Sequence, residues 1–392
     1  MPNILTDKMI DLKKKSDCCG CTACASICAK GAIKMKSDEE GFLYPICDIS
    51  QCNDCHLCEK ICPIIYRDNN TYHNRPLKIL AVRNKEKEIL YHSSSGGAFS
   101  ALAEEILIKH GIIYGAEYNE KHIVIHSKET TKNGILKFRG SKYVQSNICG
   151  IYEEIKSYLH KGELVLFSGT PCQVEGLKCF LRKPYENLIT VDILCHGVPS
   201  PKIFSDYIKF IKKYSIGHLK NIFMKDKTFG WGYQNVRLYF KEGYTEFNTP
   251  LSSLWNKIYY DHICNRPSCH NCKFTNLYRA GDITLGDFWN IEKSHKEFYS
   301  SLGVSLLMIN TTKGESIWNN IKQNFAYIQS NINECMQPVL QYPQPESIEK
   351  EQFWKDYKKY GFEKVIRKRY RITNYKLLKN ILQQSINILR RK

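Results

Sequence analysis

The stretch from Cys18 to Pro63 constrains this chain more than any other feature. It contains two runs of cysteines with the same spacing, C-x2-C-x2-C-x3-C: Cys18, Cys21, Cys24 and Cys28, then Cys52, Cys55, Cys58 and Cys62. Three thiolates at two-residue spacing bind one iron–sulfur cube, and the fourth cysteine of each run binds the other cube. We therefore expect two [4Fe-4S] clusters, with Cys62 completing the first site and Cys28 the second.

The spacing resembles that of the bacterial two-cluster ferredoxin module. Zinc is the main alternative, because C-x2-C also begins zinc sites, but those sites seldom contain a tight triplet of cysteines. A disulfide framework fits less well, because residues 1–17 hold no apolar signal-peptide run and 18 cysteines without secretion favour metal in a reducing compartment. Ala29 replaces the usual proline but removes no ligand. Cys19 and Cys47 are surplus and are predicted to be structural.

The basic charge of the chain is concentrated near its C-terminal end. The formal net charge is +18, and residues 351–392 contain 13 Lys and Arg against 3 Asp and Glu, whereas residues 1–75 contain 10 of each sign. This excess is a property of the tail, so we predict no nucleic-acid partner. No apolar run of 18 residues is present, so we expect no membrane span and a cytoplasmic location.

The pattern of apolar runs divides the chain into four parts. We predict a two-cluster domain over 1–65, a polar linker over 66–76, a main domain over 77–345 and a basic helical tail over 346–392. The main domain alternates strands and helices, which predicts right-handed crossovers in a parallel sheet. The expected fold class is α/β (α+β overall): a small ferredoxin-like module followed by a mixed, partly parallel sheet flanked by helices.

Small residues at 93–97 form a loop before a predicted helix, Ala98 to His110. Serine hydroxyls and free backbone N–H groups at a helix start attract anions, with the helix dipole aligned. One interpretation is therefore a pyrophosphate cradle. The alternative is an ordinary N-cap followed by a tight turn, because such loops commonly cap helices.

Two strand–turn–helix units place cysteines at matched positions. Cys172 follows the strand ELVLFSG, and Cys195 follows the strand NLITVDIL. If these parallel strands are neighbours, the two cysteines lie roughly 5 Å apart at the carboxyl edge of the sheet. Cys269 and Cys272 form a further metal-type C-x2-C pair, with Cys264 nearby.

The tail contains a basic amphipathic helix. One helical face carries apolar residues: Leu377, Leu378, Ile381, Leu382, Ile386 and Leu389. Such a face usually packs on the protein's own core, and we favour that interpretation. The alternative is peripheral contact with an anionic membrane, at the inner membrane surface.

Several segments resemble one family in the same order. They are SSSGGAFSALA, RGSKYVQS, GTPCQVEGLK, DILCHGVPSP and SCHNCKF followed by RAGDITLGDFW. From about residue 77 to 360 the chain is similar to the family of coenzyme F420 hydrogenase/dehydrogenase beta subunits, with the ferredoxin module placed before it. The resemblance implies an FAD-containing iron–sulfur oxidoreductase.

The resemblance also assigns roles to individual residues. The cofactor-binding residues would be Ser93, Ser94, Ser95, Gly96, Gly97, Ser141, Lys142, Tyr143, Gln145, Ser146 and Thr170. Lys142 would tune the flavin, and His196 would donate a proton or bond a cluster sulfur. A third [4Fe-4S] cluster would be bound by Cys172, Cys195, Cys269 and Cys272. Cys264 replaces Cys172 as a ligand if Cys172 is instead a reactive thiol.

These expectations combine into a flavin-dependent oxidoreductase. Electrons would pass between the ferredoxin-type clusters, FAD and an organic acceptor, either coenzyme F420 or another small molecule. The expected partners are a small-molecule redox substrate and a soluble ferredoxin or partner redox enzyme. The alternative is an electron-transfer subunit that serves a partner enzyme and has no substrate site of its own.

Overall fold

The computed structural model describes residues 14–65, 75–233 and 235–389. The expected linker at 66–76 lies mostly outside these ranges, so it stays a prediction, and so do the domain boundaries.

The described residues form strands that agree closely with the apolar runs of the sequence. The strands are β1 (Ile33–Ser37), β2 (Leu43–Cys47), β3 (Lys78–Asn84), β4 (Ile112–Tyr118), β5 (Val124–Glu129), β6 (Val165–Gly169), β7 (Leu188–Ile193), β8 (Leu219–Asp226), β9 (Asn235–Phe240), β10 (Thr245–Phe247), β11 (Ile283–Asp287), β12 (Ser305–Ile309) and β13 (Phe325–Ser330).

Helices lie between most of these strands and make up the tail. They are α1 (Ala23–Ile27), α2 (Leu57–Lys60), α3 (Lys87–Tyr91), α4 (Ala98–Ile108), α5 (Ile151–His160), α6 (Pro171–Leu181), α7 (Pro201–Lys213), α8 (Leu254–Tyr260), α9 (Ile291–Ser294), α10 (Thr312–Ile321), α11 (Ile332–Cys335), α12 (Lys350–Tyr360), α13 (Phe362–Arg369) and α14 (Asn374–Leu389). Among the described residues, no helix is both long enough and apolar enough to cross a bilayer.

The largest sheet has eight strands in the order β13-β3-β12-β11-β7-β6-β4-β5. Its centre is parallel, because β4 pairs with β6, β6 with β7 and β7 with β11 in the same direction. The remaining neighbours pair antiparallel. This confirms the expected mixed, partly parallel sheet. It also makes β6 and β7 direct neighbours, so Cys172 and Cys195 leave the sheet at the same edge.

Helices cover both faces of the large sheet. On one face, α4 and α10 pack on the strands through Leu102, Ile106 and Trp318. On the other face, α5 and α6 contribute Tyr152 and Leu177 to a core shared with β6. Burial of both faces explains the continuous apolar runs of the central strands.

The turns after β6 and β7 start their helices as the sequence predicts. Thr170 and Gln173 form a reciprocal capping box on α6, and Pro171 occupies the first turn. The Ser200 hydroxyl accepts a hydrogen bond from the backbone N–H of Ile203 at 3.1 Å and so caps α7. These two starts fix the backbone around Cys172 and after Cys195.

The N-terminal module is a hairpin flanked by the two short cysteine-bearing helices. Strands β1 and β2 pair antiparallel around a turn at 39–41. The Asp38 carboxylate closes the turn by accepting the backbone N–H groups of Glu40 and Phe42. The module packs on α6 where Gly176 meets Cys21: a Cβ at Gly176 would lie 2.7 Å from the Cys21 Cβ. The absence of a side chain therefore permits the close approach.

The C-terminal helices pack beside a second sheet of three antiparallel strands, ordered β10-β9-β8. Helix α14 turns Leu377, Asn380 and Gln384 towards this core. Asn380 and Gln384 donate hydrogen bonds to the buried Glu246 carboxylate. The rest of the predicted apolar face is exposed to a large extent at four positions: Leu378, Leu382, Ile386 and Leu389. The helix therefore docks through a mixed face and leaves an apolar stripe uncovered.

Candidate functional site

The first predicted set of cysteines lies together at the inner side of the N-terminal module. Burial raises the pKa of the Cys24 thiol, and the neighbouring charges of Cys18 and Cys62 add to the effect. Burial likewise raises the pKa of Cys21 although Cys19 hydrogen-bonds it, and Cys62 and Cys24 contribute as neighbours. Buried thiols that repel one another need a cation before they can all ionise, as iron ligation would provide.

The second predicted set lies nearer the surface. Its four members line one small cavity together with Cys47: Cys28, Cys52, Cys55 and Cys58. Cys55 is exposed to solvent. Burial and the Cys52 thiol raise the pKa of Cys47 to about 11. The surplus Cys47 is therefore a neighbour of this set and does not belong to a distant core.

The third predicted set meets in a cavity between α6 and the segment that follows α8. Cys172, Cys195, Cys269 and Cys272 line this cavity, and Cys19 of the N-terminal module joins them. Burial and the adjacent Cys272 raise the pKa of Cys269 to about 12. Cys264 does not line the cavity and is buried in the core around α7 and α8.

A single metal ion, such as zinc, requires ligands that converge on one point. In the part of the chain that the structure describes, no three histidine, cysteine or acidic side chains converge closely enough for one metal ion. A zinc site needs all its ligands within about 2.3 Å of one ion. In a cubane the ligands bind separate irons and stand further apart. Iron–sulfur ligation by the three sets stays a prediction.

A second cavity of about 310 Å³ adjoins the third set and is termed the large cavity, because more residues line it than line the cavity of the third set. All but one of the predicted cofactor-binding residues line it: Ser93, Ser94, Ser95, Gly97, Ser141, Lys142, Tyr143, Gln145, Ser146 and Thr170. Gly96 is the exception. Cys172, Cys195 and His196 line both cavities, so they form a shared wall between them.

The serine loop at the start of α4 is held rigidly against the sheet. The Ser93 hydroxyl donates to the Ile89 carbonyl at 2.7 Å, and the Ser95 hydroxyl donates to the Val304 carbonyl at 2.9 Å. Gly97 is the N-cap with φ of 80°, and no side chain caps the helix. The serines therefore do not act as the ordinary N-cap that the sequence left open, and the helix start faces the cavity.

The loop at 138–146 contributes hydroxyls and a buried lysine. The Ser94 hydroxyl accepts the backbone N–H of Ser141 at 2.9 Å, which joins the two loops. The Lys142 ammonium donates to the carbonyls of Lys137, Arg139 and Gly140. Burial lowers its pKa to about 7. These bonds hold the loop together, and the flavin-tuning role of Lys142 stays a prediction.

Other residues of this loop have partners of their own. The Tyr143 ring stacks on Tyr259 with ring centroids 4.4 Å apart. The Ser146 hydroxyl accepts from the Gln173 amide at 2.9 Å. Gln145 faces the N-terminal module, where its amide donates to the Cys19 carbonyl at 3.1 Å. The loop therefore contacts both the large cavity and the first cysteine set.

His196 lies in the shared wall. Burial lowers its pKa, and the charge of Asp287 opposes that effect only in part. A neutral imidazole at this point suits either of its predicted roles, proton donor or hydrogen-bond partner to sulfur.

A charged and aromatic group that the sequence did not predict lies at the lining of the large cavity, to which Asp287 and Trp289 contribute. Buried Lys225 bonds the Asp287 carboxylate at 2.5 Å, and its ammonium lies 4.5 Å from the centre of the Trp289 ring. Trp231 stacks on Trp289 with ring centroids 4.8 Å apart and donates its indole N–H to Asp287. Asp287 and Trp289 belong to the segment RAGDITLGDFW, which carries part of the family resemblance. Its partners come from β8 and the following loop, and no local pattern marks them.

A second missed residue is His126, which lines the same cavity. Its Nε2 is 2.9 Å from the Ser168 carbonyl. Burial lowers its pKa to about 4, so Nε2 carries the proton and Nδ1 presents a lone pair. Within the described ranges, that Nδ1 is buried without a hydrogen-bond partner.

The comparisons with known proteins agree with this geometry. Residues 162–334 match the family described as coenzyme F420 hydrogenase/dehydrogenase, C terminus of the beta subunit. The chain is 21% identical over 312 residues to the F subunit of F(420)H(2) dehydrogenase from Methanosarcina mazei, covering 72% of this chain and 80% of that protein. Both matches therefore support the resemblance that the motifs predict, and the family model covers residues 162–334 of the chain.

One solved structure is also similar. A chain in the xenon-derivatised F420-reducing [NiFe] hydrogenase complex from Methanosarcina barkeri is 19% identical, with a TM-score of 0.45. The match covers 78% of this chain and 97% of that chain.

Proposed function

We propose that this protein is an FAD-dependent iron–sulfur oxidoreductase. It passes electrons between [4Fe-4S] clusters, FAD and an organic acceptor, either coenzyme F420 or another small molecule. The observation that carries the proposal is the wall of Cys172, Cys195 and His196, which has a cavity lined by a cysteine set on one side and a cavity lined by the serine loop on the other. Redox centres on the two sides of one wall would be close neighbours.

The residues around the large cavity suit a flavin dinucleotide. The start of α4 offers its dipole and unpaired N–H groups to a pyrophosphate, while the Ser94–Ser141 contact joins the two loops around it. The stacked Tyr143 and Tyr259 rings add an apolar aromatic surface. A bound flavin would supply conversion between one-electron and two-electron transfer.

The three cysteine sets suit a relay of clusters. In each set, buried or crowded thiols gain most from a cation that stabilises their ionised form. The second set includes the exposed Cys55, which makes it the natural contact for a soluble ferredoxin. The third set adjoins the large cavity, so the relay would run from the surface inward.

The first test is the cofactor content of the full chain. Purified and reconstituted without oxygen, it should be brown and contain about twelve iron atoms and about one FAD. A colourless, iron-free protein after proper reconstitution would falsify the proposal.

The alternative function is an electron-transfer subunit without its own substrate site. The matched relative is named as one subunit of a dehydrogenase, which supports assembly with a partner redox enzyme. The two functions differ in what the isolated chain does. An oxidoreductase with a substrate site reoxidises its reduced flavin with coenzyme F420 or another small acceptor, whereas an electron-transfer subunit does so only with its partner present.

We also propose that α14 contacts an anionic membrane surface. Its uncovered stripe of Leu378, Leu382, Ile386 and Leu389 has the spacing of one helical face. Exposed Lys376 and Lys379 lie on the same helix, and the sequence continues with three basic residues at 390–392. A basic helix with an apolar face binds such surfaces in the plane of the interface.

A further inference from the structure

Arg266 is buried where the N-terminal module meets the main domain. Its Nε donates to the Cys18 carbonyl at 2.7 Å, and its Nη2 donates to the Leu43 carbonyl at 2.9 Å. Its Nη1 donates to the Gln145 side-chain oxygen at 3.0 Å. Nη2 also lies 3.5 Å from the Cys18 sulfur. One side chain therefore ties two segments of the module to the main domain and touches a predicted cluster ligand.

The surroundings of this guanidinium leave its charge without an ordinary counter-ion. Its exposed fraction is 0%, and it lies 4.3 Å from the centre of the Tyr44 ring and 5.3 Å from that of Phe42. Its described partners are carbonyls, an amide and a thiol, with no carboxylate among them.

A buried cation of this kind costs several kcal/mol unless an anion pairs with it. The nearest candidate anion is the thiolate of Cys18, together with whatever cluster that thiolate holds. A cluster bound by four thiolates is itself an anion, and reduction makes it more negative. The buried charge therefore favours the reduced cluster over the oxidised one.

The position of Arg266 also connects two of the predicted cluster sites. It precedes Cys269 of the third set by three residues in the same segment. Cys19, the neighbour of Cys18, lines the cavity of the third set together with Cys172. The first and third sets are therefore adjacent, and the guanidinium lies at their junction.

We propose that Arg266 sets the reduction potential of the cluster held by Cys18, raising it so that this cluster accepts an electron before passing it towards the third set. The inference rests on the proposed function, because it requires a cluster at Cys18. Hydrogen bonds to ligand sulfurs and local charge are the protein's main means of setting such potentials.

The test uses the full chain, reconstituted without oxygen, with iron content and redox-titrated electron paramagnetic resonance as readouts. In Arg266→Gln, we expect full iron content and one cluster whose reduction becomes about tenfold less favourable, equivalent to about 59 mV for one electron. Arg266→Lys restores the charge and should recover most of that shift, although it cannot form the same set of bonds.

Gln145→Glu tests the same charge without removing the arginine. The new carboxylate would replace the amide oxygen that lies 3.0 Å from Nη1 and so neutralise the guanidinium, while the hydrogen bond from the amide nitrogen to the Cys19 carbonyl is lost. The same cluster should become harder to reduce, with full iron content. If Arg266→Gln does not fold, Gln145→Glu alone tests whether the charge of Arg266 sets the reduction potential of the cluster.

Several outcomes would overturn the inference. The first is an unchanged midpoint potential of the cluster in Gln145→Glu, and the second is an equal shift of that potential in Arg266→Gln and Arg266→Lys. The third is loss of iron from Gln145→Glu, which would make the contact with Arg266 purely structural. Wild-type protein without clusters is a different result, because it contradicts the proposed function itself.

Discussion

Replacing Gly96 by alanine tests whether the serine loop must lie directly on the sheet. A Cβ at this position would lie 2.2 Å from the Val82 carbonyl oxygen and 2.5 Å from the Ser305 backbone nitrogen. Both are backbone atoms of the neighbouring strands β3 and β12, so no side-chain rotation can relieve the contact. The loop itself must move away by roughly 1 Å or more.

The energetic cost of Gly96→Ala follows from the two hydrogen bonds that this movement of the loop breaks. The Gly96 N–H donates to the Ser305 hydroxyl at 2.8 Å, and the Gly96 carbonyl accepts the Asn84 N–H at 2.8 Å. Each bond contributes about 1 kcal/mol, and overpacking adds about 1–3 kcal/mol. We therefore expect Gly96→Ala to lower the free energy of unfolding by about 3–5 kcal/mol and to displace the start of α4.

Two measurements check this expectation: denaturant unfolding followed by tryptophan fluorescence, and bound flavin per chain. The variant should lose both stability and most of its flavin. Gly232→Ala is the matched control, because a Cβ there meets no atom within 4 Å. Wild-type stability and flavin content in Gly96→Ala would refute the reasoning.

Three further predictions use other parts of the molecule. Cys195→Ser should lower the iron content by about a third, because one of three cubanes loses a ligand; Cys264→Ser should leave it unchanged, and equal losses in both would contradict the assignment. His126 has its pKa lowered to about 4, so between about pH 4 and 6.5 the unfolded chain binds more protons than the folded one. The unfolding free energy should therefore decrease as the pH falls through this window, by at most about 1.4 kcal/mol per pH unit from this group, and acid titration of His126→Phe should show the shallower slope. Leu382→Glu should abolish sedimentation with anionic lipid vesicles. Gln383→Glu, which also adds one negative charge to the same helix, should retain most of it. Equal binding by both variants would exclude the apolar stripe as the membrane contact.

Local chemistry explains most of what the sequence predicted correctly. The two strands before Cys172 and Cys195, and the turn and helix that follow each of them, depend on residues close in the chain. The same holds for the serine loop, whose members line the expected cavity apart from Gly96. The family motifs predicted that the distant Cys269 and Cys272 meet Cys172 and Cys195, and all four line the cavity of the third set.

What the sequence did not predict depends on partners far apart in the chain. Arg266 reaches Cys18 across 248 positions, and Gln145 reaches the Cys19 carbonyl across 126. Lys142 looked like a donor to a ligand, yet its ammonium satisfies three carbonyls of its own loop. A polar side chain shows what it can bond, but not which acceptor folding will bring within reach.

The tail illustrates the same limit for apolar residues. Periodicity favoured packing of the whole leucine-rich face on the core. Instead, buried Glu246 selects Asn380 and Gln384 as its partners, which rotates the helix and leaves Leu382 exposed. An unpaired carboxylate in that core would cost more than exposing leucine, so the polar bonds determine the orientation.

Under the proposed function, the shared wall between the two cavities separates electron transfer from substrate recognition. Cys172 and Cys195 are anchored to the central sheet, whereas Tyr260 and Trp289 reach the large cavity from α8 and from the loop after β11. Exchanging those outer segments between relatives would alter which molecule fits without shifting the sulfur atoms. Replacing these outer segments would therefore change the proposed acceptor while the cysteines keep their positions.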